Sequence, residues 1–310
     1  MLRPIKRNRQ LDLFIPLPGA VAPKAQQELM MRSWMSLAKQ GRSTPIEHHY
    51  DNQWVRITGD SENGIATIWD HDLLIYFVSQ WREAQNRGLE TSNYVHFTPY
   101  DYWTWLGLNR GGGRDYHLLK DQMRRLHTTH IETNFAWTEE GEGTRKQIHK
   151  HTHQFNWVQE WRYHEINGVV RGIEAQLPEW FYRAALDEKS VLTISEEYFR
   201  LTSGLERWLY LYCRKAAGRQ RHGWQIRFRL LYEYSQLKSP YKRFAQILRK
   251  IIAQPRQIPE YTLREITNPR GESVLQILRI DQELNAPLLG TNSGLMATSS
   301  PAFLDDDIRV

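Results

Sequence analysis

Four groupings of residues in this sequence could support chemistry, and three of them fail on type or spacing. A phosphate-cradling GxxxxGK[ST] loop needs a glycine directly before a lysine. None of the 310 residues meets that condition, so ATP-driven strand separation through such a loop is excluded. His149, His151 and His153 alternate as they would on one face of a strand, which suggests a metal site. Lys150 lies between them and no carboxylate ligand stands nearby, so a solvated or phosphate-facing stripe accounts for them. Enzymes that nick DNA for rolling-circle replication place two histidines around a bulky apolar residue, and His149-Lys-His151-Thr-His153 lacks it. No Ser/His/Asp set or pair of carboxylates stands out. The chain is expected not to be an enzyme, and no cofactor or metal is assigned.

The fourth grouping is cationic. Over Pro240–Ile252, at about 100° per residue, Phe244, Ile247, Leu248, Ile251 and Ile252 share one face, while Lys242, Arg243, Gln246, Arg249 and Lys250 fill the other. A helix in the major groove of DNA needs this split. One side anchors in a core, and the other offers Arg for guanine, Gln for adenine and Lys for phosphates. An ordinary amphipathic helix with a solvated basic face is the alternative. Lys238 in the turn ahead and Arg270 at a hairpin tip beyond extend the candidate surface.

A second segment, Arg114–His127, is similar but weaker. Tyr116, Leu119, Met123 and Leu126 form its apolar stripe, and Arg114, His117, Asp121, Arg124 and Arg125 face away. Arg110 and Gly111-Gly112-Gly113 could let backbone N–H groups approach a phosphate at its start. A dimer surface or plain solvent exposure are the rivals for this helix.

The positioning elements follow from periodicity and punctuation. A helix is expected from Asp70 to Gly88, with Leu74, Phe77, Val78 and Trp81 on its stripe and Asp70 as cap. Thr98-Pro99-Tyr100-Asp101 opens a short helix to Gly107. After the third helix come β-branched residues 128–137, a turn at 139–143, and strands over 155–163 and 169–177 with a hairpin at Asn167-Gly168. Glu139, Glu140 and Glu142 make the first wing acidic at its tip, with Arg145, Lys146 and Lys150 beyond it.

The second half repeats this order. Ser203–Glu206 forms a capping box, a strand runs near 224–228, and helices cover 230–235 and Ser239–Ile252. A hairpin then turns at Asn268-Pro269-Arg270-Gly271. The expected fold is α+β, with two tandem winged helix-turn-helix domains at 60–186 and 187–281. An extended N-terminal arm (1–59) precedes them, broken by Pro4, Pro16, Pro18, Pro23 and Pro45, and a disordered tail (282–310) follows. Basic residues at 3, 6, 7 and 9 suit a backbone-contacting tail at the extreme terminus, with a plain solvated terminus as the favoured alternative.

Charge fits a polyanionic partner, most often nucleic acid, and equally a merely soluble basic protein. The formal net charge is +6, but residues 281–310 hold five acids and one base, leaving 40 bases against 30 acids in residues 1–280. Tryptophan and tyrosine fall mostly on helical or strand stripes, which favours core packing over base stacking. The single cysteine, Cys213, excludes a disulfide framework and suits a reducing compartment. The longest strongly apolar run, Leu73–Val78, is far short of a membrane span, and no secretory signal is apparent, so a cytoplasmic location is expected.

Several blocks also resemble the plasmid replication initiator protein A (RepA) family: Leu11–Gly19 through Lys24, Gly64–Asp70, Leu177–Tyr182, Leu201–Tyr210 and Ser239–Phe244. The resemblance runs from about residue 11 to about 280. It implies a bacterial origin-binding protein with tandem winged helices that binds repeated double-stranded sequences (iterons). It further implies opening of an adjacent AT-rich segment, recruitment of the host initiator and replicative helicase, a homodimer through the first winged domain, and repression of its own gene. A winged-helix transcriptional repressor without initiator activity, or an origin-nicking enzyme, are the competing readings.

Overall fold

The helix expected after Asp70 forms and is enclosed on all sides. The computed structural model describes residues 13–50, 53–109, 111–134, 152–218, 220, 223–254 and 258–280. In it, α1 (His71–Asn86) buries every residue from 71 to 82. A helix inside a protein must find partners for its polar groups. Ser79 accepts from the Lys24 amide at 2.8 Å, and Gln80 accepts from the Leu17 amide at 2.9 Å. Arg82 donates to the Leu186 carbonyl at 2.5 Å. Asp70 occupies the cap position without capping, because its carboxylate is taken by Thr67 and Arg125. Gly88 ends the helix region at φ +68°.

Ahead of α1 lie β1 (Leu13–Phe14), β2 (Lys24–Gln26), β3 (Ile46–Tyr50) and β4 (Gln53–Thr58). After it come β5 (Tyr94–Phe97), α2 (Pro99–Trp105), α3 (Gly113–Thr128), β6 (His130–Thr133), β7 (His153–Asn156), β8 (Glu160–Ile166), β9 (Val169–Gln176) and α4 (Glu179–Leu186). The second half holds β10 (Val191–Thr193), α5 (Gly204–Ala216), β11 (Trp224–Arg227), α6 (Phe228–Ser235), α7 (Tyr241–Ile252), β12 (Tyr261–Thr267) and β13 (Ser273–Arg279). The architecture is mixed α+β.

The repeat is visible in topology. The series α1–β5–α2–α3–β8–β9 pairs its strands in the order β5-β9-β8, and α5–β11–α6–α7–β12–β13 pairs them in the order β11-β13-β12. In both, the strand between the first two helices adds to the last strand of the hairpin. Each unit has its own core. Trp81, Phe97, Trp157 and Phe181 belong to the first, and Trp208, Tyr210, Phe228 and Phe244 to the second. Helix α1 serves both, giving Tyr76 and Phe77 to one and Ile75 to the other.

Two expectations need correction. Residues 1–59 do not form an arm over their described part. β3 and β4 form a hairpin that continues into β6 and β7 as one four-stranded sheet, while β2 pairs with β10. The prolines at 16, 18, 23 and 45 lie outside these strands, so they interrupt helix without preventing pairing. The strands after α3 are likewise not the first wing: β6 and β7 join the β3–β4 sheet, and the hairpin equivalent to β12–β13 is β8–β9. Its turn is the expected Asn167-Gly168, both at positive φ (52° and 78°), as a two-residue hairpin turn requires. Glu139, Glu140, Glu142, Arg145, Lys146, Lys150 and the tail at 282–310 lie outside the described residues.

One buried ion pair ties the units together. Arg207 on α5 donates Nη1 to both Asp72 carboxylate oxygens at 2.8 Å, Nε to Leu201 O at 2.8 Å and Nη2 to Phe199 O at 2.9 Å. The Trp69 and Tyr198 rings lie 5.7 and 5.0 Å from its guanidinium carbon. Replacing Arg207 with Met should destabilise the chain by about 3–5 kcal/mol, because the buried Asp72 charge loses its guanidinium counterion, whereas the double change D72L/R207M should recover most of that. Urea unfolding of the three chains measures it.

Burial also pushes His48 and His71 down to about 4. The unfolded chain takes up these protons near pH 6.5, and the folded chain refuses them until about pH 4. Stability should therefore be full above about pH 6.5 and fall through that window, by up to about 1.4 kcal/mol per pH unit per histidine. Unfolding titrations of H48Q and H71Q should each show a shallower fall.

Candidate nucleic-acid interface

Helix α7 has the two faces its spacing requires. Phe244, Ala245, Leu248 and Ile251 are buried, with Ile247 and Ile252 packed at the margin of the same core. Lys242, Arg243, Gln246, Arg249 and Lys250 are all exposed. The helix begins one residue later than expected. Pro240 occupies the cap position, and its carbonyl accepts from the Arg243 and Phe244 amides at 2.8 and 3.1 Å. The Tyr232 hydroxyl holds the Ser239 carbonyl at 3.0 Å, and the Tyr232 ring packs against Tyr241 and Phe244. Helix α6 closes on Gln236 in the left-handed conformation (φ 50°, ψ 29°), which turns the chain into α7.

Electrostatics divides the cations on this surface. The side chains of Lys238, Lys242, Arg243, Gln246, Lys250 and Arg270 have no protein partner among the described residues, and only Gln246 is uncharged. Arg270 stands at the tip of the β12–β13 turn, where the Asn268 side chain accepts from the Arg270 and Glu272 amides at 3.0 and 2.9 Å.

Arg249 differs. Its fork meets Glu265 at 2.9 and 2.8 Å, and Nη2 reaches the Ser273 hydroxyl at 3.2 Å. The pair raises the Arg249 pKa and lowers that of Glu265. Half of the Arg249 side chain remains exposed. An exposed pair of this kind is worth about 0.2–1 kcal/mol, against about 1–3 kcal/mol for a bidentate guanine contact. The fork can therefore be exchanged to DNA, but it is not standing free.

The first unit presents a more neutral face. Arg114 is exposed without a partner among the described residues. Arg124 pairs with Asp121 at 2.9 Å. Lys120 pairs with Glu165 at 2.5 Å and lies 4.3 Å from the centre of the Tyr163 ring.

Two sequence expectations fail here. Arg125 does not point away: it grips the nearly buried Asp70 with two bonds of 2.7 Å, fastening α3 to the start of α1. The expected approach of a phosphate to the glycine amides is obstructed as well, because Asp115 accepts from the Gly111 and Gly112 amides at 3.2 Å each. Arg110, His149 and His151 lie outside the described residues. Exposed His153 sits opposite Thr133, and no cluster of three possible metal ligands occurs among the described residues. Burial pushes the Cys213 thiol far up, leaving it inert.

Two flanking cations escape the sequence reading. Arg229 is exposed at the start of α6, 5.2 Å from the Tyr241 ring centre, and Arg264 is exposed on β12 opposite Gln276. The Arg227-Phe-Arg229 triplet at a strand–helix junction was the available signal for the first.

Comparison with known proteins finds a family model that matches most of the chain. The family model described as replication initiator protein A matches residues 24–263. A chain assigned as a replication protein in Wigglesworthia glossinidia brevipalpis is 29% identical over 265 residues, covering 84% of this chain and 92% of its own. Crystal structures of domains 2 and 3 of RctB share the fold at 14% identity. One has a TM-score of 0.51, covering 81% of this chain and 97% of RctB's. A selenomethionine form has a TM-score of 0.55, with 82% and 98% covered.

If Arg249 is a DNA contact held in reserve by Glu265, E265Q should tighten binding to duplex DNA by up to about fivefold, the weight of an exposed ion pair. Fluorescence anisotropy measures this. Unchanged affinity with a lowered melting temperature would make the pair purely structural.

Proposed function

Because the chain belongs to the replication initiator protein A family, we propose that it is a plasmid replication initiator that binds repeated origin sequences (iterons) in duplex DNA. The reading rests chiefly on one observation: α7 carries Lys242, Arg243, Gln246 and Lys250, without side-chain partners among the described residues, on the face opposite its buried stripe. Each topological unit is read as a winged helix-turn-helix. In the second, α6 and α7 form the helix-turn-helix and β12–β13 the wing; in the first, α2, α3 and β8–β9 take those places. The strand orders β5-β9-β8 and β11-β13-β12 support this reading, as does the likeness to domains of RctB.

In this reading the second unit is the sequence reader. Gln246 offers its planar amide to a base edge, Arg249 exchanges Glu265 for guanine, and Lys238, Lys242, Arg243, Lys250 and Arg270 meet the backbone. Arg114 and Arg124 give the first unit a lighter hold. Two non-identical units suit an asymmetric repeat better than a plain palindrome. The protein acts by binding and deforming DNA, without catalysis of its own, in the bacterial cytoplasm. Host initiator and helicase follow, and a homodimer through the first unit represses the chain's own gene.

The direct test supplies the chain in trans to a plasmid lacking its initiator. Replication supports the initiator, while operator binding without replication favours a repressor. Supercoiled origin DNA that acquires a strand break on incubation with the purified chain would favour a nicking enzyme. Footprinting on DNA flanking its gene should show protected repeats. Affinity should fall steeply with salt, with a slope set by roughly 6–10 neutralised phosphates. K242A should reduce that slope by about one without changing sequence preference, whereas Q246A should relax preference by about 1–3 kcal/mol at one position.

A further inference from the structure

A short strap, residues 33–42, runs between the two units and is hydrogen-bonded on both sides. Toward the first unit, the Ser36 amide donates to Ala66 O at 2.8 Å, the Ile68 amide to Ser36 O at 2.9 Å and the Ile65 amide to Arg42 O at 2.8 Å. The approach is tight enough that a Cβ on Gly41 would lie 2.1 Å from the Asn63 carbonyl oxygen. Toward the second unit, the Ser33 amide donates to the Tyr234 carbonyl at 3.0 Å. Ser33 through Leu37 are buried, so the strap is part of the packing between the units.

Arg42 completes the connection. Its guanidinium donates Nε to Thr44 O at 2.9 Å and Nη2 to Pro45 O at 2.6 Å, which fixes its orientation. Its remaining arm, Nη1, donates to Gln236 O at 2.6 Å, across 194 residues of sequence. Gln236 is the left-handed residue that ends α6 and aims α7. Carbonyls at a helix C-terminus have no donor within the helix, and a cation there is favoured by the helix dipole as well. The donor that settles this turn thus comes from the strap seated on the first unit.

We propose that Arg42 is a positioning residue for α7: by holding the Gln236 carbonyl it sets the angle at which the cationic helix leaves its turn, and it references that angle to the first unit. Arg42 makes no DNA contact in this scheme. The inference rests on the reading of α7 as a DNA-contacting helix, so its test includes a measurement that needs no DNA.

The full-length chain is compared with R42Q and R42K. Hydrogen exchange should accelerate in R42Q at amides 236–243 while α1 keeps its wild-type protection. Preference for the origin duplex over a single-base variant should fall by about tenfold, equivalent to one lost bidentate contact. The salt slope should stay unchanged, because Lys242, Arg243 and Lys250 are retained. R42K, which can still place one N–H near Gln236, should fall between the two. Wild-type exchange at 236–243 in R42Q, or loosened exchange with unchanged preference, would overturn the proposal. If R42Q unfolds throughout, R42K is judged on the same two readouts. A wild-type chain that binds no origin duplex would defeat the DNA reading of α7, while the exchange result would still decide whether Arg42 holds the turn.

Discussion

The contact between Asp72 and Arg207 is the constraint on which the arrangement of this protein depends. Two charges withdrawn from water are tolerated only when their remaining bonding capacity is met. Arg207 meets it with two backbone carbonyls and two aromatic rings besides the carboxylate. Two residues earlier, Asp70 holds Arg125 of α3. One turn of α1 is therefore fastened to a helix of each unit. With α1 contributing side chains to both cores, the two units pack together across the boundary that the sequence placed at 186/187, and β10 follows shortly after it.

The two units share a strand order but differ in how they manage charge. On α3, Lys120, Arg124 and Arg125 are each matched with a carboxylate. On α7, Arg249 alone is matched among the described residues, and the other cations are exposed. Unmatched cations on a short helix repel one another, and no gain in folding offsets this. Their presence is understandable if a polyanion neutralises them. The asymmetry leaves α7 the more cationic of the two helices and α3 the more nearly neutral.

Much of this was legible in the letters. The apolar stripe of α7, the caps around Thr98 and the Asn167-Gly168 turn all express local rules, and the structure shows them. What failed depended on partners far away in sequence. Nothing near Arg125 indicates that Asp70 will face it, and nothing near Arg249 selects Glu265. β5 has only four residues, Tyr94–Phe97, too few for its alternation to register. β3 reads Ile-Glu-His-His-Tyr, and its buried His48 looks polar in sequence, so a real strand passed as part of an arm. β6 and β7 resemble any wing strands until the pairing of β6 with β4 is known, and that sheet assignment is a tertiary fact.

The strap has a consequence for the order of synthesis. Gln236 leaves the ribosome 194 residues after Arg42, a delay of about 10–40 s at ordinary rates of 5–20 residues per second. β3 and β4 likewise wait for β6 before their sheet can grow. The amino-terminal portion therefore emerges with its apolar side chains, Trp34, Met35 and Leu37 among them, uncovered until most of the polypeptide exists. During translation that portion is the part of the chain most open to aggregation, because its covering elements are made last.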